Sequence, residues 1–349
     1  MLIIGAGMAG LVAAARAREL GAEPVVFEKG DRPGGSMLLS SGVVWRFRSL
    51  EDFRAECPGG DPALQSQVIE RLDESLEWLE SLGAPVVESK TGNPRTIGKR
   101  FDTRGLTDAL ARGVQLSHGL LPGTETGSEG PLVLATGGFP VRLARERRLL
   151  LRANRWSEGE GLDLARERGG ATAGDLDEFY GRAMPAPPAE IEEWDFVRLS
   201  QLYGRFAEVA AESGEERFDR EPSWSETDLV QAIARWPGGR AWYRVHKDKL
   251  NERVRERTVG GMIEAARAAG AVVREDPPYI SVLVQASVTQ TLGGVRIDER
   301  ARVLDENGAP IEGLYAAGAD AGDISTGGYS SGLAAALVFG RIAAEEALG

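Results

Sequence analysis

The sequence has one cysteine, Cys57, and two histidines, His118 and His246, among 349 residues. A single thiol cannot form an intrachain disulfide, a Cys-x-x-Cys redox pair or a cysteine-based metal cluster. Two imidazoles add few further ligands for zinc or a transition metal. We therefore expect no metal at the functional site.

Positively charged residues are outnumbered by negatively charged ones. The chain has 41 Lys and Arg residues and 53 Asp and Glu residues, which gives a formal net charge of -12. A chain this acidic is a poor partner for a polyanion, so we expect no nucleic acid. No apolar run is long enough to span a bilayer. The apolar start, residues 1–17, has no basic segment before it and is interrupted by glycines, so we interpret it as strand, turn and helix. A cytoplasmic location is the resulting expectation.

What the chain does contain is typical of a globular enzyme, with 42% hydrophobic and 27% charged residues. Its length predicts two domains, or one large α/β domain with an insertion. The 45 glycines are the unusual feature, and they cluster at a few turns. Such clusters indicate places where the main chain approaches a ligand closely.

The first cluster follows a short apolar strand, residues 1–4, and precedes an alanine-rich helix. In this GxGxxG turn Gly5 permits the bend, Gly7 leaves room for a pyrophosphate, and Gly10 lets helix and strand pack closely. The helix dipole and the N–H groups at its start favour the negative phosphates. This pattern predicts a dinucleotide site.

A second strand, residues 24–27, ends in Glu28, about 20 residues after the first glycine, which is the spacing of a carboxylate that accepts ribose hydroxyls. An acidic side chain there repels a 2'-phosphate and disfavours NADP. A glycine and serine loop at residues 34–42 comes soon afterwards. Such a loop suits a cofactor that continues beyond the pyrophosphate into ribitol and flavin, which favours FAD over NAD.

Residues 31–45, which include this loop, resemble the GGS and SGG segment of a flavoprotein superfamily. That superfamily contains fumarate reductase, succinate dehydrogenase and 3-ketosteroid dehydrogenases. Residues 131–139 resemble the superfamily's ATGGF motif, and residues 291–298 its T.GG...D pattern. Residues 313–320 are similar to its GLYAAG motif. In this resemblance Gly318 ends a strand beneath the cofactor and Asp320 offers a carboxylate to a ribitol hydroxyl.

The resemblance implies an α/β fold, a Rossmann-like FAD-binding domain of the glutathione-reductase type with an inserted α+β cap domain. We predict that residues 1–182 and 285–349 form the FAD-binding domain and residues 183–284 the cap, which binds substrate. The final helix, residues 333–348, is expected to point its amino end at the flavin pyrimidine, where its dipole stabilises negative charge. The residues expected to contact FAD are Gly5, Ala6, Gly7, Met8, Ala9, Gly10, Glu28, Lys29, Gly35, Ser36, Ser40, Ser41, Gly42, Val114, Ala135, Thr136, Gly137, Gly318, Asp320, Gly332, Leu333 and Ala334.

Fumarate reductases carry two substrate-binding histidines, and the corresponding stretches here, residues 177–185 and 288–290, contain none. Fumarate and succinate are therefore disfavoured as substrates. No histidine lies near residues 35–45 either, so the FAD is expected to be non-covalent.

Three side chains are candidates for catalysis. Tyr329 lies just before the final helix, where 3-ketosteroid dehydrogenases place a tyrosine that polarises the substrate carbonyl, although the spacing differs. Arg205 lies near the region that supplies the proton-donating arginine of fumarate reductases, and Tyr180 lies at the predicted cap boundary. A core tyrosine or a surface ion pair is the alternative role for each.

The predicted activity is an FAD-dependent oxidoreductase that transfers a hydride between flavin N5 and a C–C bond next to a carbonyl. Its partners would be a small-molecule substrate and an external electron donor or acceptor, since there is no second GxGxxG turn for NAD(P)H. A flavin oxidase or monooxygenase is one alternative. A carrier protein with a degenerate site is another.

Overall fold

A computed structural model describes residues 1–119 and 130–349 of the chain. The helices in this part are α1 (Met8–Glu19), α2 (Gly35–Leu38), α3 (Leu50–Glu56), α4 (Pro62–Ser81), α5 (Thr103–Ala111), α6 (Pro140–Arg147), α7 (Glu160–Glu167), α8 (Phe196–Leu199), α9 (Thr227–Arg235), α10 (Val259–Ala268) and α11 (Gly332–Leu348). None of these helices combines the length and the apolar character that a membrane crossing requires.

The strands, in chain order, are β1 (Leu2–Ile4), β2 (Val25–Glu28), β3 (Val43–Phe47), β4 (Val86–Glu88), β5 (Thr96–Phe101), β6 (Gln115–His118), β7 (Leu132–Leu134), β8 (Leu150–Leu151), β9 (Thr172–Ala173), β10 (Phe179–Pro185), β11 (Ala207–Ala211), β12 (Arg217–Phe218), β13 (Arg240–His246), β14 (Arg253–Val254), β15 (Arg257–Thr258), β16 (Val273–Asp276), β17 (Tyr279–Thr291), β18 (Gly294–Val295), β19 (Arg302–Leu304) and β20 (Pro310–Ala316). They belong to two compact units. The first unit comprises Met1–Phe139, Asn154–Glu178 and Gln290–Gly349, and the second comprises Pro140–Ala153 and Phe179–Thr289.

The first unit is built on a six-stranded sheet in the order β19-β20-β7-β1-β2-β6. Strands β20, β7, β1, β2 and β6 run parallel, and β19 pairs antiparallel with β20 at one edge. Parallel strands bring their carboxyl ends to one edge of the sheet, which is where the glycine turns after β1 and β7 and the turn after β20 lie. The predicted Rossmann-like fold is confirmed.

Helices α1 and α11 pack against each other, although they come from the two ends of the chain. The α1 residues Ala13, Ala14 and Ala17 are fully buried, and their small side chains permit close packing. A Cβ atom on Gly340 of α11 would lie 2.7 Å from the carbonyl oxygen of Ala9, closer than real Cβ contacts allow. The ends of the sequence are therefore joined by direct main-chain packing.

Helix α4 shows how the local sequence fixes an element. The carboxylate of Asp61 accepts hydrogen bonds from the N–H groups of Ala63 and Leu64, and Pro62 occupies the first turn, where a missing N–H costs nothing. A row of leucines at helical spacing forms its buried face. These are Leu64, Leu72, Leu76 and Leu79.

The second unit has its own sheet, in the order β10-β17-β13-β11-β12, with β16 and β8 also paired to β17. The predicted insert, residues 183–284, lies within this unit, but the unit also takes in residues 140–153. The reason is a pairing that the sequence pattern did not reveal: β8 adds to β17 in parallel, with Leu150 opposite Ser287. A substrate-binding cap role for this unit stays a prediction.

Replacing Leu79 with Ala should lower the free energy of unfolding by about 2–5 kcal/mol, because Leu79 is fully buried and its truncation leaves a cavity. Urea unfolding monitored by circular dichroism measures the change. Val87→Ala is the control, since Val87 is 53% exposed and its truncation should cost about 0.5 kcal/mol or less. Equal losses in the two variants would contradict the packing described for α4.

Candidate active site

The turn after β1 is held by glycines that touch neighbouring main chain. A Cβ atom on Gly5, where φ is +100°, would lie 2.1 Å from the carbonyl oxygen of Ala135. A Cβ atom on Gly10 would lie 1.9 Å from the carbonyl oxygen of Gly5. Both contacts are impossible for any other residue, so these two glycines are needed for the fold itself.

Gly7 differs, because a Cβ atom there would meet no atom within 4 Å. It is the N-cap of α1, with an ordinary φ of -78° and no side-chain hydrogen bond to the helix. The first N–H groups of a helix have no partner within the helix, and together with its dipole they attract a phosphate. The open space over Gly7 therefore fits the pyrophosphate of a dinucleotide, as the sequence predicts, while Ala6, Met8 and Ala9 are buried around it.

Glu28, the predicted ribose ligand, is 5% exposed at the end of β2. One of its carboxylate oxygens accepts from the N–H of Ala6 and the other from the N–H of Gly30, each at 2.7 Å. The carboxylate thus orders the first glycine turn. Because each oxygen can accept more than one hydrogen bond, acceptor capacity is left for a ribose.

The glycine and serine loop lies directly against the first turn. The N–H of Gly34 donates to the carbonyl oxygen of Ala6 at 2.7 Å, and a Cβ atom on Gly35 would lie 3.2 Å from the Cα of Gly7. Ser36 accepts a hydrogen bond from the N–H of Asn154 at 2.9 Å. The structure therefore brings Gly35 and Ser36 to the site.

Further along this loop, Ser40 donates to the carbonyl oxygen of Met37 and accepts from the N–H of Gly42. Gly42 has a φ of +71°, and a Cβ atom on it would lie 2.2 Å from the carbonyl oxygen of Phe101. Ser41, between them, is half-buried. Ser40 and Gly42 thus have clear roles in shaping the loop, and contacts of these three residues with FAD stay predictions.

Asp320 has partners that the sequence did not indicate. It is 1% exposed, and its carboxylate accepts from the N–H and the hydroxyl of Thr136 and, at 3.1 Å, from the N–H of Gly138. Burial raises its pKa, and these hydrogen bonds oppose that effect. Asp320 therefore fixes the turn of residues 135–138, and its contact with a ribitol hydroxyl remains a prediction.

Gly318 lies beside the first helix, as the predicted site requires. Its φ is +71°, and a Cβ atom on it would lie 3.0 Å from the Cβ of Ala9. A one-turn helix, Gly318–Asp320, follows β20. The turns after β1 and β20 thus meet at the same edge of the sheet.

Helix α11 begins in the same unit at Gly332. Ser331 caps it by accepting from the N–H of Ala334 at 3.3 Å, and the same hydroxyl accepts from the N–H of Trp45 at 3.4 Å. A Cβ atom on Gly332 would lie 2.0 Å from Oε1 of Gln290, so the Gln290 amide packs on the start of the helix. The predicted residues Gly332, Leu333 and Ala334 therefore form a capped helix start next to the 34–45 loop.

Tyr329 is half-buried three residues before α11. Its ring packs edge-on against Trp45, with ring centroids 5.6 Å apart. Its N–H donates to the sulfur of Cys57, whose pKa is raised by burial. The tyrosine is thus held at the helix start, as predicted.

Tyr180 and Arg205 lie in the second unit. Tyr180 is 7% exposed, with the guanidinium of Arg182 over its ring at 5.1 Å. Arg205 is exposed, and its main-chain N–H donates to the carboxylate of Glu226. That carboxylate is buried, and burial raises its pKa. Catalytic roles for Tyr180 and Arg205 stay predictions.

Lys29 and Val114, the two remaining residues expected to contact FAD, are placed as follows. Lys29 binds the carboxylates of Glu158, at 2.5 Å, and Glu160. Val114 precedes β6, at the amino end of that strand, whereas His118 at its carboxyl end is the residue opposite Glu28. Four residues of strand separate the two ends by about 13 Å, so the structure does not bring Val114 to the glycine turns.

The sequence interpretation also missed residues 154–161, which contact several of the glycine turns. The visible signal was the pair Gly159 and Gly161 at the start of α7. A Cβ atom on Gly161 would lie 2.7 Å from the hydroxyl of Thr136 and 2.8 Å from the Asp320 carboxylate. This close approach marks residues 154–161 as part of the site.

An open helix start, a buried acid after the second strand and a second helix start from the far end of the chain define a dinucleotide-binding flavoprotein. The family model described as "FAD binding domain" matches residues 1–124 and 112–333, and the chain belongs to this family. The resemblance to fumarate reductase and 3-ketosteroid dehydrogenase flavoproteins is confirmed. FAD is the cofactor, and the chain is an FAD-dependent oxidoreductase.

Similar proteins extend over nearly the whole chain. A probable fumarate reductase, Ifc3, of Shewanella frigidimarina is 25% identical over 99% of this chain and 74% of its own length. An open-conformation flavocytochrome c3 fumarate reductase has a TM-score of 0.74 and 22% identity, covering 99% of this chain and 77% of that one. The 3-ketosteroid-delta4-(5alpha)-dehydrogenase of Rhodococcus jostii RHA1 has a TM-score of 0.72 and 19% identity, covering 100% and 96%.

Replacing Gly7 with Ala should leave the apoprotein folded but weaken FAD binding at least tenfold, because the new methyl group enters the open space over the helix start. Replacing Gly10 with Ala should instead destabilise the apoprotein, because the methyl group meets the carbonyl oxygen of Gly5. Thermal unfolding of the apoproteins and fluorescence titration with FAD separate the two effects. Unchanged FAD affinity in Gly7→Ala would contradict a pyrophosphate at this place.

Proposed function

We propose that this protein catalyses hydride transfer between FAD and a C–C bond next to a carbonyl group, on a ketone or enone rather than a dicarboxylate. The observation that carries the proposal is the capped start of α11 with Tyr329 beside it, in the same unit as the glycine turns. Names of the similar proteins, fumarate reductase and 3-ketosteroid dehydrogenase, point to the same kind of bond. Bound FAD would supply the hydride chemistry, and the protein the orientation and proton transfer.

The residues that would hold FAD follow from the site. The start of α1 over Gly7 fits the pyrophosphate, and Glu28 has acceptor capacity for a ribose. At the other end, the N–H groups of Gly332 and Leu333 belong to the first turn of α11. These dipoles are suited to stabilise negative charge on the flavin pyrimidine.

Tyr329 is our candidate for the proton donor or acceptor. The phenol form can donate its proton to a substrate carbonyl oxygen, the phenolate form can take up a proton, and the ring packs against Trp45. Proton transfer by a positioned side chain contributes typically 10²–10⁴-fold to rate. Tyr180 and Arg205, both in the second unit, are the further candidates for this role.

The choice of a neutral carbonyl substrate rests on the side chains present. Residues 288–290 are Val, Thr and Gln, and residues 177–185 also lack histidine. The amide of Gln290 at the start of α11 is uncharged. A neutral amide is better suited to contact the carbonyl oxygen of a ketone or enone than the two carboxylates of a dicarboxylate substrate.

Anaerobic titration of the FAD-loaded protein tests the reaction. Saturated ketones or steroids should bleach the flavin absorbance, whereas succinate should not, and an enone should restore the colour of the chemically reduced protein. Rapid reoxidation by dioxygen alone would favour an oxidase or monooxygenase.

Replacing Tyr329 with Phe should lower the rate of flavin bleaching by about 10²-fold or more, because the hydroxyl is lost while the ring still packs on Trp45. FAD affinity should be unchanged. Tyr315→Phe is the matched control, since the Tyr315 hydroxyl donates to the carbonyl oxygen of Glu346 at 3.4 Å, and it should keep the wild-type rate. If Tyr180→Phe or Arg205→Ala shows the large loss and Tyr329→Phe does not, the proton role moves to that residue.

A further inference from the structure

One segment outside the glycine motifs contacts several parts of the predicted FAD site. We call residues 154–161 the strap. At its start the N–H of Asn154 donates to the hydroxyl of Ser36 in the glycine and serine loop. At its end the N–H of Gly161 donates to the hydroxyl of Thr136 at 3.2 Å. The strap therefore connects the glycine and serine loop with the turn after β7.

Between these ends the strap packs on main chain that only glycine can present. A Cβ atom on Gly137 would lie 2.6 Å from the hydroxyl oxygen of Ser157, which is itself 2% exposed. A Cβ atom on Gly30 would lie 2.7 Å from Cδ1 and 3.0 Å from Nε1 of Trp156. The indole edge of Trp156 therefore rests on the main chain of Gly30.

The Trp156 indole lies at the end of the predicted site where Glu28 is expected to bind the ribose. The same point on Gly30 lies 3.0 Å from Oε1 of Glu28, so the indole edge and the Glu28 carboxylate both pack around Gly30. The guanidinium carbon of Arg155 lies over the Trp156 ring, 5.4 Å from the ring centroid. Trp156 is only partly exposed, and an aromatic ring beside a ribose acceptor can cover an adenosine group by packing.

Lys29 binds the second half of the strap through two ion pairs. Its ammonium group binds Glu158 at 2.5 Å and also Glu160, the first residue of α7. Burial lowers the pKa of Lys29, but the hydrogen bonds with these two carboxylates outweigh that effect and raise it. Lys29 follows Glu28 directly, so the ion pairs fix the strap at the ribose end.

We propose that the strap completes the FAD site, with Trp156 as a wall of the adenosine subsite and Lys29 as a positioning residue that acts through Glu158 and Glu160. This assignment differs from a direct bond between Lys29 and a phosphate. It rests on FAD binding, which the family establishes, and not on the reaction proposed above. A result that contradicts the role of the strap in FAD binding can therefore be distinguished from a result that contradicts the proposed reaction.

The test for Lys29 is the dissociation rate constant of FAD, followed by the fluorescence of released FAD. Lys29→Ala and the double variant Glu158→Gln/Glu160→Gln should each raise it about tenfold, and combining all three changes should raise it no further. If Lys29 bound a phosphate directly, its removal would speed dissociation, whereas removing two neighbouring carboxylates would slow it. That opposite sign would overturn the proposal.

Matched variants separate this effect from general destabilisation. Lys99→Ala removes a lysine of similar exposure, 28% against 30% for Lys29, that binds Glu80 on the same unit, and should leave FAD dissociation unchanged. Lys29→Arg keeps a cation for the two carboxylates and should restore a rate within twofold of wild type. An equal acceleration in Lys99→Ala would refute the assignment, because any lost ion pair would then suffice.

Trp156 is tested by fluorescence and by truncation. Adding FAD should quench tryptophan emission less in Trp156→Phe than in the wild-type protein, while Trp156→Phe keeps the dissociation rate within threefold. Trp156→Ala should raise that rate about tenfold, a difference of about 1.4 kcal/mol. Unchanged or slower FAD release from Trp156→Ala would show that the indole is not a wall of the subsite.

Discussion

The site depends on main chain packed directly against main chain at the carboxyl edge of the parallel sheet. Gly5 packs on the carbonyl oxygen of Ala135 and Gly10 on that of Gly5, while Gly318 packs on the methyl group of Ala9. Side chains at Gly5 or Gly10 would push the turns apart. Because the turns come from residues far apart in sequence, three separate regions of the chain must meet before the open helix start over Gly7 is correctly framed.

Buried carboxylates complete what the glycines permit. Glu28 ties the turn after β1 to the end of β2, and Asp320 ties the turn after β7 to the turn after β20. Each carboxylate accepts main-chain N–H groups that would otherwise be buried without partners, which is costly. Glu28 and Asp320 are thus part of the framework, and each is also a predicted ligand of FAD.

The sequence predicted the framework well because its signals are local. A glycine at a fixed spacing after an apolar strand reports a steric requirement of the backbone, and this requirement does not depend on distant residues. For the same reason the start of α11 and the position of Tyr329 were predicted from the turn that precedes them. The acid after β2 was predicted, although its bonds to Ala6 and Gly30 were not.

The missed features depend on pairing between remote segments. Val114 was expected to contact FAD, but the direction of β6 in the sheet places His118, at the other end of that strand, beside Glu28. The joining of residues 140–153 to the second unit follows from one short parallel pairing, Leu150 with Ser287. The bonds of Lys29 to Glu158 and Glu160 span about 130 positions, a distance at which no sequence pattern indicates a partner.

The packing of α1 on α11 also has a consequence for biosynthesis. A newly made chain emerges from the ribosome amino end first, so the GxGxxG helix is exposed long before Gly318 and Gly340 are synthesised. Until then the buried alanine face of α1 has no α11 to cover it. A binding site that needs the starts of both helices can therefore form only after α11 has been made, and the alanine face of α1 must wait for that partner.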